Sequence, residues 1–506
     1  MPRFVREAPH VYMFPLDAPL GRCVGLTPYT LFIGGKWVEP MGGEYAELLD
    51  PATNEPIAQV ASGGKEDTNA AVDSARKGFE NADWRGMDPS KRGRLLYSLG
   101  QLIRDTFEDL ARTESQNVGK PLREAKGDIA YVYKLFEYYA GLADKIQGDT
   151  IPVPGSRLAY TVREPLGVTG HIAPWNYPLV LACRGIAPAL AAGNTVVLKP
   201  ASLTPLTALK LADLTAKTGF PPGVFNVVTG PGKTAGNALA GHPDVDSMTF
   251  TGSTETGKQV MQLAARNVTP VTLELGGKNP NIVFADAKMD RAQRGVMFGA
   301  FQNAGQMCWA GSRVFVHESI REEFMKKLVD ATAKMKLGPG LREDSQMGPL
   351  VSREQAKSVL GYIEDGIHSG ATLLVGGTKS DREDLRAGNF VLPTVFDDVS
   401  SDMRIAREEI FGPVLCTFDF KDEDDLIAAA NATEYGLAAG IWTQNLRTAH
   451  RVAARLEAGI VTVNEFPVTF PQTPFSGFKQ SALGHEQGID AVDAYTRIKS
   501  VTVNLE

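Results

Sequence analysis

Cys308 stands at the centre of Asn303 to Arg313, NAGQMCWAGSR, among Ala304, Gly305, Ala310, Gly311 and Ser312. Small residues let backbone come close to a ligand without steric penalty. A thiol in such a turn, after a helical run from Arg291 to Gln302, is placed to act as a nucleophile. The thiolate is the reactive form, and an ordinary thiol with a pKa of about 8.5 needs help to ionise near neutral pH. Taken alone, Cys308 reads more readily as a small buried hydrophobe, because free cysteine is among the most buried residue types.

Other positions have chemistry of their own. Glu274 ends an apolar strand and precedes Gly276-Gly277, which leaves a carboxylate room to approach a ligand as a general base. Asn176, between Trp175 and Pro178, has an amide that can donate to an oxyanion, although a turn asparagine is the commoner case. Lys199 ends the strand Thr195 to Leu198, where a cation can hold ribose hydroxyls or phosphate, although an ordinary surface lysine is the default for a single instance. Gly252-Ser253-Thr254-Glu255-Thr256-Gly257 follows a strand and opens a helix, so its amides can cradle a pyrophosphate. It departs from the strict G-x-G-x-x-G pattern, and a plain strand–helix turn fits it equally well.

The elements that must position these groups show in the periodicity. Leu31 to Val38 reads as a hairpin around Gly34-Gly35, and Glu55 to Ala61 as a strand. From Lys65 to Gln147 apolar residues recur at helical spacing, with Asp67 or Thr68 as the first cap. From Gly167, strands alternate with helices, including a short helix over Thr234 to Leu239. The alternation resumes near Val271 and runs past Cys308 to about Leu483. Such alternation implies an α/β fold whose parallel sheets are covered on both faces and bind ligands at strand C-termini. Thr150 to Val162 carries Pro152 and Pro154, which exclude a central strand. It and the alternating Val501, Val503, Leu505 are extended segments that could pair with each other or across a subunit boundary, simple packing of the tail being an equal alternative.

The 506 residues suit two or three domains, and 43% hydrophobic with 22% charged residues suits a globular core. A net charge of -7 argues against nucleic-acid binding or a basic membrane surface. Seven scattered histidines and four cysteines without a C-x-x-C pair give no metal site and suit a reducing, cytoplasmic compartment. The first 30 residues hold five prolines and no signal-peptide core, and read as an N-terminal arm.

PWNYP, LKPAS, FTGSTETG, LELGGK, GQMCWAGSR, EEIFGPV and PFSGFKQSALGHE, in this order, strongly resemble the aldehyde dehydrogenase superfamily from about Leu31 to the C-terminus. The resemblance implies a Rossmann-like dinucleotide-binding domain over 31–147 and 165–275. It implies an α/β catalytic domain over 276–490 and a β-ribbon oligomerisation element over 148–164 and 491–506, giving a homodimer or homotetramer. Cys308 would attack an aldehyde, with Asn176 and the Cys308 amide holding the oxyanion; hydride transfer would leave a thioester, and Glu274 would activate water to release the acid. Lys199 and Glu486 join this catalytic set, Glu486 through a proton path. The cofactor, NAD with NADP tolerated, would meet Ala173, Trp175, Lys199, Ser202, Gly232, Gly236, Gly252, Ser253, Gly257, Glu274, Glu409 and Phe411. Ser202 stands where NAD-preferring relatives often carry a glutamate, so repulsion toward a 2′-phosphate is removed. Tyr177, Arg184, Met307, Trp309 and Phe475 would line the substrate pocket. Arg184 replaces a common tryptophan and suggests an aromatic or anionic aldehyde, a structural ion pair being the other reading. The late G-R-E motif reads Gly484-His485-Glu486 here. A thiol-dependent ester hydrolase and a non-catalytic nucleotide-binding relative are the rival functions.

Overall fold

The computed structural model describes residues 28–506; residues 1–27, most of the expected N-terminal arm, lie outside the described residues. An eight-stranded sheet is built around five parallel strands in the order Phe225–Val227, Thr195–Lys199, Val168–Ile172, Ser247–Thr251 and Val271–Glu274. Antiparallel strands close both edges: the hairpin Leu31–Ile33 with Lys36–Val38 on one side, and Ala482–Leu483 on the other. The parallel strands are buried along nearly their whole length, polar Thr169, His171, Asn226 and Thr249 included, because helices, among them Pro178–Ala192 and Leu206–Thr218, cover both faces. The C-terminal ends of these strands present Ala173, Lys199, Gly252 and Glu274 along one rim, at or just beyond their last residues.

A seven-stranded sheet carries the second half of the chain. Its order is Thr372–Val375, Thr394–Asp397, Val414–Phe420, Arg313–His317, Pro280–Val283, Ala438–Trp442 and Ile460–Val463, parallel except for the first pair. The Met289–Phe301 helix lies between two of these strands in sequence and ends seven residues before Cys308. A separate three-stranded ribbon joins Thr150–Ile151, Arg157–Pro165 and Thr496–Asn504. Its long pair runs in unbroken register from Thr496 opposite Pro165 to Asn504 opposite Arg157. The two extended segments therefore pair with each other, within one chain.

Two local expectations change. The first helix begins at Lys65, with Gly64 before it, so neither Asp67 nor Thr68 is its cap. Asp67 instead reaches back, accepting from the Gly64 amide at 2.8 Å and the Met41 amide at 2.9 Å. The helix expected over Thr234 to Leu239 is present but longer, a π-helical turn, Gly232–Gly236, running directly into the short α-helix Asn237–Ala240. The largely exposed strand Tyr45–Leu49 has no apolar alternation and left no mark in the pattern.

Candidate active site

Cys308 is presented by a reversal of the backbone. After the helix ends at Phe301, Asn303 and Ala304 take φ of 48° and 53°, and Gly305 takes 71°. Left-handed conformations cost a non-glycine residue about 1–2 kcal/mol, so tertiary contacts must hold them. At Gly305 a Cβ would lie 2.1 Å from the Gly412 carbonyl oxygen, so glycine is needed for approach as well as for φ. Gln306 braces the turn: its Nε2 donates to the Asn303 carbonyl at 2.9 Å and its Oε1 accepts from the Val351 amide at 2.9 Å.

Asn176 is tied into the same turn. Its Nδ2 donates to the Gln306 carbonyl at 2.9 Å, while Asn303 Nδ2 donates to the Asn176 carbonyl at 2.9 Å. The Cys308 carbonyl accepts from Asn279 Nδ2 at 2.9 Å. A Cβ at Gly277 would sit 2.4 Å from that carbonyl, so the glycine after Glu274-Leu275-Gly276 lets the two loops touch. Cys308 remains partly exposed. Burial pushes its thiol up to about 12; Arg184 opposes the shift, and Glu409 and Glu274 reinforce it.

Glu274 ends its strand buried, and neither carboxylate oxygen has a hydrogen-bond partner among the described residues. Burial holds its pKa well above the carboxylate range; nearby Glu486 adds to this and Arg184 opposes it. Glu486 and Arg184 form a buried ion pair, Nε to Oε2 2.8 Å. The Arg184 guanidinium lies 3.7 Å above the Phe475 ring, and its Nη2 has no hydrogen-bond partner. Phe475 also packs against Trp309, centroids 5.4 Å apart. Met307 is buried, and the Tyr177 ring faces the Lys120 ammonium at 3.7 Å. The expected substrate residues thus include a cation already neutralised by Glu486, one of the expected catalytic residues.

The residues expected to meet the cofactor lie at or near the sheet rim. Lys199 is buried without an ion-pair partner among the described residues, and burial pushes its ammonium down to about 8. Its carbonyl accepts from the Ala173 amide at 3.1 Å. Gly236 lies over its aliphatic chain, where a Cβ would be 3.9 Å from Cδ, and Gly232 has open space beside it. Ser253 caps Thr254–Ala265, its Oγ accepting from the Thr256 amide at 3.4 Å. Gly252 and Gly257 allow close packing on Phe250 and Leu275: a Cβ at either would come within 2.5 Å of those side chains. Ser202 Oγ donates to the Gly230 carbonyl at 2.8 Å. Trp175 meets Phe411 edge-to-face at 5.1 Å. Glu409 accepts from the Gly277 amide at 3.2 Å, and burial pushes its pKa up to about 7. A buried ammonium with no counter-ion, beside open glycines and a helix N-terminus, suits a polyhydroxylated, anionic dinucleotide.

Residues outside the sequence-based set also shape the site. Asn279 holds the Cys308 carbonyl; Glu124 accepts from the Asn303 amide at 2.8 Å; Lys278 is buried with an unpartnered ammonium. Lys278 lies inside LELGGK and Asn279 directly after it, so proximity to a motif was available as a signal. Glu124 lies 179 positions from its partner, and no local pattern links them.

The two sheets, the rim and the cysteine loop define an aldehyde-oxidising enzyme: the Aldehyde dehydrogenase family model matches residues 37–501, and the chain belongs to that family. The oxidoreductase reading displaces the ester-hydrolase and non-catalytic rivals. The chain is 44% identical to a betaine aldehyde dehydrogenase of Bacillus subtilis, across 94% of this chain and 97% of the relative. It is 46% identical to aldehyde dehydrogenase family 2 member B4, mitochondrial, of Arabidopsis thaliana, covering 94% of this chain and 88% of the relative. An NAD+ complex of a Bacillus cereus aldehyde dehydrogenase superposes with a TM-score of 0.93 at 45% identity, covering 95% of this chain and 97% of the other.

Proposed function

We propose that this enzyme oxidises an aldehyde to the carboxylic acid with NAD, through covalent catalysis at Cys308. The observation that carries the reading is the buried Glu274 carboxylate, without a hydrogen-bond partner and within electrostatic reach of the thiol. Cys308 Sγ adds to the aldehyde carbon, and the second N–H of Asn176 and the Cys308 amide hold the oxyanion. NAD, when bound, supplies the hydride acceptor. Glu274 then takes a proton from the water that releases the acid from the thioester. Glu486, paired with Arg184, stands next in line to receive that proton. Lys199, Ser202, Gly232, Gly236 and Ser253 hold the adenosine and pyrophosphate half, and Ala173, Trp175, Glu409 and Phe411 the nicotinamide half. Ser202 brings no carboxylate to the ribose, so NADP is tolerated.

For the substrate, Arg184 is bound to Glu486 but keeps Nη2 unpartnered beside Phe475. That supports an aromatic or anionic aldehyde whose polar group accepts from Nη2, against a cationic one. The eight-stranded sheet with its helices forms the dinucleotide-binding domain, the seven-stranded sheet the catalytic domain, and the ribbon the oligomerisation element of a homodimer or homotetramer. A cytoplasmic location fits the free Cys183, Cys308 and Cys416.

The test is an aldehyde panel with NAD and NADP, followed by absorbance of the reduced cofactor. Activity that Cys308→Ala abolishes is expected. Ester hydrolysis without cofactor reduction would overturn the redox reading. If Arg184→Ala left relative rates on succinic semialdehyde, benzaldehyde and hexanal unchanged, the substrate reading would fall.

A further inference from the structure

We propose that Glu124 is a positioning residue for the thiol: its carboxylate fixes the left-handed backbone at Asn303, and through Asn303 sets both Cys308 and Asn176. The inference rests on the reading of Cys308 as nucleophile and Asn176 as oxyanion donor.

Asn303 is buried, so its backbone N–H must find an acceptor inside the protein. The reversed chain aims it away from the helix it follows. The acceptor comes from elsewhere: Glu124 Oε2, 2.8 Å away, on the third residue of the Leu122–Leu142 helix. No water shell competes for this bond, because Glu124 is itself buried. Its other oxygen lies 3.6 Å from Arg123 Nη2, and Arg123 is pinned by donating to the Ser345 and Gln346 carbonyls at 2.7 and 2.6 Å. The acceptor is therefore held from behind.

From Asn303 the constraint passes on in two directions. Its Nδ2 donates to the Asn176 carbonyl, and its own carbonyl accepts from Gln306, two residues before Cys308. Lys120, four residues before Glu124, faces the Tyr177 ring next to Asn176 while pairing with Asp128 at 2.7 Å. One helix start thus touches both walls of the site without reaching a reacting atom.

Two conservative variants separate reach from charge. Glu124→Gln keeps a carbonyl oxygen at the same reach and loses the charge. Glu124→Asp keeps the charge and withdraws the acceptor by one methylene. Positioning predicts that Glu124→Gln retains kcat within about threefold. Glu124→Asp should lose about tenfold or more, with KM for NAD unchanged, since misplacement of about 1 Å can cost 10²-fold. Iodoacetamide alkylation of Cys308, read by mass spectrometry, should slow in Glu124→Asp and not in Glu124→Gln. The reverse order, or equal loss with altered KM for NAD in both, overturns the proposal. Alkylation needs no aldehyde turnover, so an enzyme that oxidised no aldehyde would defeat the functional reading and leave this measurement intact.

Discussion

A carboxyl group without a hydrogen-bond partner is costly to bury, and Glu274 keeps both oxygens in that condition. Burial, then Glu486, lift its pKa and so favour the uncharged form, and Arg184 only partly offsets them. The sign follows for catalysis. A base with a raised pKa is protonated at low pH and gains its working form as pH rises. Acyl release should therefore climb with pH, while cofactor reduction in the first turnover should not follow that limb. In Glu274→Gln, steady turnover should fall by about 10²-fold or more with the first-turnover burst kept, and the pH limb should vanish. Stopped-flow absorbance of the reduced cofactor reads both phases. A variant that lost the burst and kept the limb would assign the base elsewhere.

At the scale of elements, the reversal between the Met289–Phe301 helix and Cys308 decides where the thiol points. Gly305→Ala tests it: a Cβ there meets the Gly412 carbonyl oxygen at 2.1 Å, on a residue with φ of 71°. The expected outcome is a loss of at least about 2 kcal/mol in unfolding free energy, together with slower Cys308 alkylation. Chemical denaturation and thiol titration check the two. This reversal also marks how far sequence reading carries. The strands ending at Ile172, Lys199, Thr251 and Glu274 were legible because apolar runs between helices have few other homes. The motifs pointed to Cys308, Asn176, Glu274 and Glu486, and the family resemblance pointed to Arg184, each as a separate residue. That the last two form one ion pair was not legible, since a contact across 302 positions leaves no periodic trace. The same holds for Glu124 and Asn303. Asp67 differs in part: it sits at the third helical position and returns its carboxylate to the Gly64 cap amide, a local contact, while its bond to the Met41 amide, 26 positions away, leaves no pattern.

For the whole molecule, the ribbon is the part that folding of one chain leaves unfinished. Thr496–Asn504 pairs on one side with Arg157–Pro165 and leaves its other edge open. Along and just beyond it, Ile498, Val503 and Leu505 are 63%, 40% and 61% exposed. An open edge nine residues long with apolar side chains invites pairing with another chain unless something covers it. A second copy would cover it at no cost to the site, because the strand's residues take no part in the cysteine loop or the rim that carries Lys199. Ile498→Lys places a charge on that strand, at the position opposite Arg163. Sedimentation velocity should show the variant shifted toward a smaller species than the parent, with the rate of Cys308 alkylation kept. An unchanged sedimentation coefficient, with the parent confirmed as an oligomer, would move the subunit boundary away from the ribbon and leave its exposed leucine and valine unexplained.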